Sequence, residues 1–292
     1  MVVNSMGDED LSGRDLRHAR LKDYKLPGAD LSRCILQGTD LRGTDLHGAN
    51  LTRANLEGAN LAGVDLTSAK LQYTMLAWAN LQGAQLRGAD LHEGRLHGAD
   101  LCNADLHGAD LDHADLGDAA IRGADLSGAK LTYVRMTHAD LKKAEVSNAD
   151  LDHASLAGAH MTETHLVAVN LSDADLTGAS LGGTDLTGAD LTAARMREIT
   201  MGRSGRSGSV HLDRADLTGA DLRDAKLSSV SLTGANLSGA DLSGLSAFDV
   251  DVTDVIWDRR TRWDYHHELA IEDASSDLGN GTYRVVKRYV MR

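Results

Sequence analysis

The sequence predicts an all-β fold, a quadrilateral β-helix in which the chain winds as a stack of square coils. The first observation is a register. From Leu11 to Met201 every fifth residue is apolar, 39 positions in a row, of which 33 are Leu. The six others are Ile121, Met136, Val146, Met161, Met196 and Met201. An internal repeat this strict decides the architecture before local propensity is weighed. Five is neither the 3.6 of a helix nor the 2 of a strand.

The second observation is what surrounds the register. The residue two before each Leu is mostly small (Ala29, Ala49, Ala54, Ala59, Ala89), the residue before it mostly Asp or Asn (Asp30, Asn50, Asn60, Asp100), and Gly is frequent two after. A small and a large apolar residue thus flank a polar one, as in a very short strand with both apolar side chains inward. The third is the single proline. In Leu26-Pro27-Gly28-Ala29 it takes the second turn position and Gly the third, the preference of a type II turn, whose third residue needs the φ > 0 that Gly adopts cheaply. A corner every five residues with every Leu inward closes a coil at four pentads. Coils then stack about 4.8 Å apart by backbone hydrogen bonds.

Four segments follow in order. Residues 1–8 form an N-terminal tail and 9–256 the solenoid. The register breaks once, between Met201 and Leu212, at the Gly- and Ser-rich, basic stretch with Arg203 and Arg206. Residues 202–211 are therefore read as a loop, either a tolerated surface insertion or a contact loop. Beyond Leu242 the repeat decays through Ala247 and Val252 to Trp257. A stacked solenoid ends in an open edge that invites aggregation unless covered, so 257–292 is read as a cap, with a short helix at 266–273 and a strand at 282–289. A filled interior of Leu and Ala layers suits a chain with 3% aromatic residues. Its stability adds up by stacking of neighbours. No apolar run reaches membrane-spanning length and no signal peptide is read. Cys34 is placed inward and Cys102 outward, so a reduced, cytoplasmic protein is expected.

The motif Ala-Asp/Asn-Leu-x-x over residues 9–256 resembles the pentapeptide repeat proteins. The resemblance implies a right-handed hand for the coil, dimerisation through the C-terminal end, and, for some members, protection of DNA gyrase. Asp258, Thr261, Arg262 and Trp263 resemble a degenerate form of a Tyr-Asp-x-x-Thr-x-Trp-Pro stretch that ends such proteins, with Trp257 in place of the Tyr and Asp264 in place of the Pro. Trp257, Trp263 and Tyr265 are the cap and dimer candidates. The gyrase-acting relatives carry more Phe at the central position than this chain, which has none there.

Charge is uneven. The net charge is −13, and residues 90–190 carry 18 acidic and 6 basic residues while residues 1–89 balance at 10 and 10. Five coils span about 24 Å at the strand spacing, over which duplex DNA carries about 14 phosphates. Asp100, Asp105, Asp110, Asp115, Asp125 and Asp150 are the candidate acidic contacts. Alternatively, Asp before Leu is merely the repeat consensus. Sorting pentads by face sets one corner apart: Arg33, Arg53, Tyr73, Glu93, His113, Tyr133, His153, Asp173 and Ala193 follow Gly13 where other corners are often Gly. That corner is expected to use a turn without φ > 0, its side chains forming either a solvated ladder or a recognition edge, with a cation–π contact between Arg53 and Tyr73. Tyr73, Met75 and Trp78 form a candidate apolar patch.

Catalysis has no constellation in the sequence. Histidines five apart fall on successive faces, and His113 and His153 are two coils apart, about 9.6 Å, too far for one zinc ion. No phosphate-binding Gly loop opens a helix. A non-enzyme with no cofactor or metal and no direct nucleic-acid binding is expected. Two functional classes remain. The leading one is a DNA-mimicking partner of a type II topoisomerase, DNA gyrase or topoisomerase IV, that modulates it or protects it from its poisons, with Arg203 and Arg206 touching the enzyme outside its groove. The alternative is a scaffolding solenoid that binds another protein through the corner ladder or the patch.

Overall fold

The computed structural model describes residues 10–202 and 208–292, which fall into two compact units, 1–145 and 146–292. Arg203 and Arg206 lie outside the described residues.

In the first unit each pentad pairs in parallel with the one 20 residues on: Asp30 with Asn50, Asn50 with Lys70, Lys70 with Asp90. Four pentads therefore make one coil. From Leu26 on the Leu register is buried, and from Ala29 on so is the residue two before it, whereas Leu16 and Ala19 on the first coil are half-buried; Leu51, Ala54, Leu56 and Ala59 are fully enclosed. Larger polar residues at the small position keep their hydroxyls paired, as Thr44 does by donating to the Leu21 carbonyl at 2.8 Å. Cys34 is buried and Cys102 half-buried, and both are free thiols.

The pentad 50–54 shows why five residues suffice. Asn50 N–H donates back to the Ala29 carbonyl (2.9 Å), Leu51 N–H forward to Lys70 (2.7 Å), and Arg53 N–H forward to Gln72 (2.9 Å). Ala54 N–H closes the turn onto the Leu51 carbonyl at 2.9 Å. The remaining donor, Thr52 N–H, reaches the Asn50 side chain at 3.2 Å. All five N–H groups are satisfied, three by neighbouring coils, one by the turn and one by the Asx side chain.

The corner conformation is uniform. Each third turn residue from Asp23 to Glu198 has positive φ, whether Gly or not. Gly28 has φ 70° and Ala29 N–H bonds the Leu26 carbonyl at 3.2 Å, as a Pro-Gly type II turn requires. The expectation of a different turn at the Gly-poor corner is overturned: Arg53 has φ 60°, Tyr73 59°, His113 56° and Tyr133 54°. Inter-coil hydrogen bonds on both sides of the corner impose the left-handed conformation on any occupant.

Within the second unit the same 20-residue pairing recurs, as in Asp150 with Asn170 and Asn170 with Asp190. β1 (Thr200–Met201) and β2 (Val210–His211) both pair in parallel with β3 (Lys226–Ser231), one at its start and the other at its end. The coil resumes at Val210, so the last two residues of the loop read from the sequence belong to a strand. β4 (Ser246–Asp251) lies parallel to β3. The C-terminal segment covers the edge. β8 (Val290–Met291) runs antiparallel to β4. β5 (Ile256–Asp258), β7 (Thr282–Val285) and β6 (Ser275–Gly279) make an antiparallel sheet in that order. Helix α1 (Glu268–Ala274) buries Ile271 and Ala274. Of the strand expected over 282–289 only Thr282–Val285 forms, and a separate short strand follows at Val290–Met291.

Trp257 and Trp263 fill the last layer. Leu237 N–H bonds the Ile256 carbonyl and Leu242 N–H the Arg262 carbonyl, both at 2.7 Å, which places the two indoles in the Leu columns. Asp258 and Thr261 supply bonds the missing next coil would make: Gly239 N–H donates to Asp258 Oδ1 at 3.0 Å and Thr261 Oγ1 donates to the Leu237 carbonyl at 2.8 Å.

Gly202 ends the coil before the insertion with φ 86°, and a Cβ there would stand 1.8 Å from the Ser228 carbonyl oxygen. Gly202→Ala is expected to destabilise by at least about 2 kcal/mol, read as a lowered midpoint in urea denaturation, while Gly108→Ala, where a Cβ meets nothing within 4 Å, costs only the backbone strain of about 1 kcal/mol.

Candidate interaction surfaces

Two surfaces were expected, an acidic face and an edge. The aspartates do not form one face. Asp100, Asp105, Asp110 and Asp115 precede four successive register residues, so one stands on each side of a single coil. Only Asp125 stacks on another of the set, pairing with Asp105. Asp150 belongs to the second unit. All six carboxylates do the same local work. Each accepts the N–H two residues on: Cys102 at 3.0 Å, His107 at 3.1 Å, Asp112 at 3.0 Å, Gly117 at 3.0 Å, Ser127 at 2.9 Å and Asp152 at 3.3 Å. Several also hold cations. Lys130 bridges Asp110 and Asp112 (3.5 and 3.1 Å), and Arg135 pairs with Asp115.

These bonds keep the charge in place. Partial burial pushes the Asp125 carboxyl up, but the Ser127 hydroxyl and N–H outweigh it and leave it below the ordinary range. Asp100 and Asp115 are lowered in the same way, against burial, by Cys102 and Gln82 and by Arg135 and Gly117. On the exposed N-terminal coils, hydrogen bonds from Arg17 and Arg42 hold Asp15 and Asp40 down to about 2.

The edge is continuous in the first unit. Arg53 lies over the Tyr73 ring, its Cζ 5.3 Å from the centroid, which is the expected cation–π pair. Tyr73 meets His92 edge-on at 6.0 Å, His92 meets His113 edge-on at 6.1 Å, and His113 stacks on Tyr133 at 4.8 Å with rings 3° from parallel. His92 bridges the ladder because the residue just before a corner in one coil lies beside the corner of the coil before it. An offset of 19 residues between aromatic or imidazole side chains is the signal that would have found it. The same offset joins Trp78 to His97 at 5.3 Å. Trp78 is 66% exposed and lies across Gly98, where a Cβ would come 2.3 Å from its ring. Tyr73 and Trp78 mark the two corners that bound the face centred on Met75, which is half-buried.

In the second unit Asp152, His153 and Asp173 bring ligand-type atoms within 4.8 Å of one another on a solvated corner. Ser172 Oγ donates to Asp152 at 2.8 Å. In the cap, Trp257 and Trp263 are buried and so belong to the fold rather than to a dimer surface, whereas Tyr265 is 75% and Leu269 76% exposed.

The family model for pentapeptide repeats matches eight copies between residues 15 and 244, covering most of the chain. The chain belongs to the pentapeptide repeat family. Among solved structures it is similar to HetL, a pentapeptide repeat protein involved in heterocyst differentiation regulation in the cyanobacterium Nostoc sp. strain PCC 7120, at 30% identity over 82% of this chain and 93% of that one, with a TM-score of 0.30. It is similar to full-length QnrB1, a plasmid-mediated fluoroquinolone resistance protein, at 17% identity over 92% and 98%, with a TM-score of 0.22. It is also similar to the pentapeptide repeat protein Rfr23 of the cyanobacterium Cyanothece 51142, at 28% identity over 43% and 64%, with a TM-score of 0.20. No curated protein matches the chain. Among the described residues, no helix is long and apolar enough to cross a membrane.

Two outcomes test the role of the aspartates. Asp125→Asn keeps the side-chain acceptor, as Asn50 does, and is expected to leave stability within about 0.5 kcal/mol. Asp125→Ala orphans the Ser127 N–H and is expected to cost about 1 kcal/mol, by analogy with loss of a helix cap; denaturant midpoints read the difference. Because folded-state carboxylates at Asp15, Asp40 and Asp125 sit below their unfolded values, their stabilisation is present above about pH 4 and lost as pH falls toward about 2. The denaturation midpoint is expected to drop through that window.

Proposed function

We propose that the chain is a non-catalytic protein-interaction solenoid that binds a protein partner through the ladder corner of its first unit and the adjoining face that carries Tyr73, Met75 and Trp78. The supporting observation is strain. A non-Gly residue in the left-handed region costs about 1–2 kcal/mol, yet this corner carries Arg33, Arg53, Tyr73, Glu93, His113 and Tyr133 in sequence, all at positive φ. Glycine would satisfy the coil at each. Strain kept where the scaffold does not need it points to a role for the side chains, and exposed aromatic and Arg groups are the ones that anchor interfaces. Tyr265 and Leu269, on the cap, are the surface for a homodimer through the C-terminal end, and the protein is placed in the cytoplasm.

A second reading has one observation in its favour, the net charge of −12 over residues 90–190. In it the acidic coils imitate duplex DNA and enter the DNA groove of DNA gyrase or topoisomerase IV, modulating the enzyme or shielding it from its poisons, with Arg203 and Arg206 touching it outside the groove. Asp100, Asp115 and Asp125 are held below the ordinary carboxylate range, so their field is available for this.

Photoreactive benzoylphenylalanine in place of Trp78, in the source cell, tests the first reading. One adduct of defined mass is expected, retained at high salt and lost when Tyr73 and Tyr133 are both changed to Gly. The same adducts from a probe at Ser68, or a smear of many, would contradict it. Gyrase supercoiling and drug-induced cleavage test the second. Inhibition or rescue that falls steeply with salt, and disappears when Asp100, Asp105, Asp110 and Asp115 become Asn, would favour the mimic; no effect at any salt would remove it.

A further inference from the structure

A recess of about 380 Å³ opens between the last coil and helix α1, of the size that takes small ligands. Its lining includes Trp257, Trp263, Tyr283, Glu268, Glu272 and Arg259. The aromatic part is rigid. Trp257 stacks on Tyr283 at 4.6 Å and meets Trp263 edge-on at 6.1 Å, and Trp257 Nε1 is anchored on Ser275 Oγ at 3.0 Å. Trp263 is different. It is 94% buried by its 6% exposure, and its indole N–H has no acceptor among the described residues, although a buried tryptophan normally finds one. Glu268 and Glu272, one helical turn apart, stand at the rim, and neither forms an ion pair among the described residues. Arg259 at the same rim is turned to the aromatic side, its Nε donating to Tyr283 Oη at 3.0 Å.

We propose that this recess binds an alkylammonium group. Aromatic walls attract a cation through the ring quadrupole, and two carboxylates without ion-pair partners among the described residues add Coulombic attraction. The cap would then be a ligand site as well as an edge cover. The group is carried either by a free quaternary amine or by the lysine side chain of a protein.

The full chain with Trp78→Phe leaves Trp257 and Trp263 as the only tryptophans, so their fluorescence reports on the recess. The probes are choline, Nα-acetyl-lysine methylamide and the uncharged choline isostere 3,3-dimethylbutan-1-ol. A saturable change is expected with one or both cations and not with the alcohol. Tighter choline binding assigns the site to a free amine, tighter lysine amide binding to a partner's side chain. Glu268→Gln with Glu272→Gln is expected to weaken binding roughly five- to twentyfold, and Arg259→Gln, which removes a competing cation, to tighten it about two- to fivefold. Circular dichroism verifies that each variant is folded. No saturable change with either cation, an equal response to the alcohol, or weaker binding in Arg259→Gln would overturn the proposal.

Discussion

The fold depends on the closure of backbone hydrogen bonds within five residues. A pentad has five N–H groups and no helix or long strand in which to pair them. Three go to adjacent coils and one to its own turn, and the fifth, two residues after the Asx position, needs a side chain. This requirement explains the motif better than hydrophobicity alone. Leu fills the interior, the small residue lets coils close, and Asp or Asn supplies the missing acceptor. Remove the acceptor and a donor beside a packed core is left to water.

That constraint changes how the charge is read. An acidic composition follows from a structural need that Asn would meet equally well. The aspartates accordingly spread over all sides of a coil instead of lining one. What the repeat leaves undetermined is the choice between Asp and Asn, and the residue at each corner. The conformation of a corner is set by the coils above and below it, so its side chain is free to vary at a roughly constant backbone cost. Function on such a scaffold is written in those two choices. Within the first unit, the corner from Arg33 to Tyr133 is the longest run of such choices made against backbone economy.

Much of this was legible in the sequence. The period of the Leu register gave the four-sided coil, Pro27-Gly28 the turn, and the decay after Leu242 the cap. The Arg53–Tyr73 pair followed from a 20-residue offset. Four features were not legible. Scarcity of Gly at one corner suggested another turn, but φ is imposed by inter-coil bonds that a residue count does not see. The acidic residues cluster in one stretch of sequence, but aspartates five apart stand on different sides of the coil. His92 and His97 joined the ladder and Trp78 through an offset of 19, one short of the coil period. In the cap, Trp257 and Trp263 end the Leu columns and are buried, so of the three cap and dimer candidates only Tyr265 is exposed.

The most direct test of this account is amide hydrogen exchange resolved to single residues. The donors two positions after Asx should be protected by the side chain: Thr52 after Asn50, His92 after Asp90, His107 after Asp105. Gln72 and Thr132 occupy the same position after Lys70 and Lys130, which offer no acceptor. The account predicts that Gln72 and Thr132 exchange markedly faster than Thr52, His92 and His107. Equal protection at all five would mean that the Asx side chain does not close the pentad, and would contradict it.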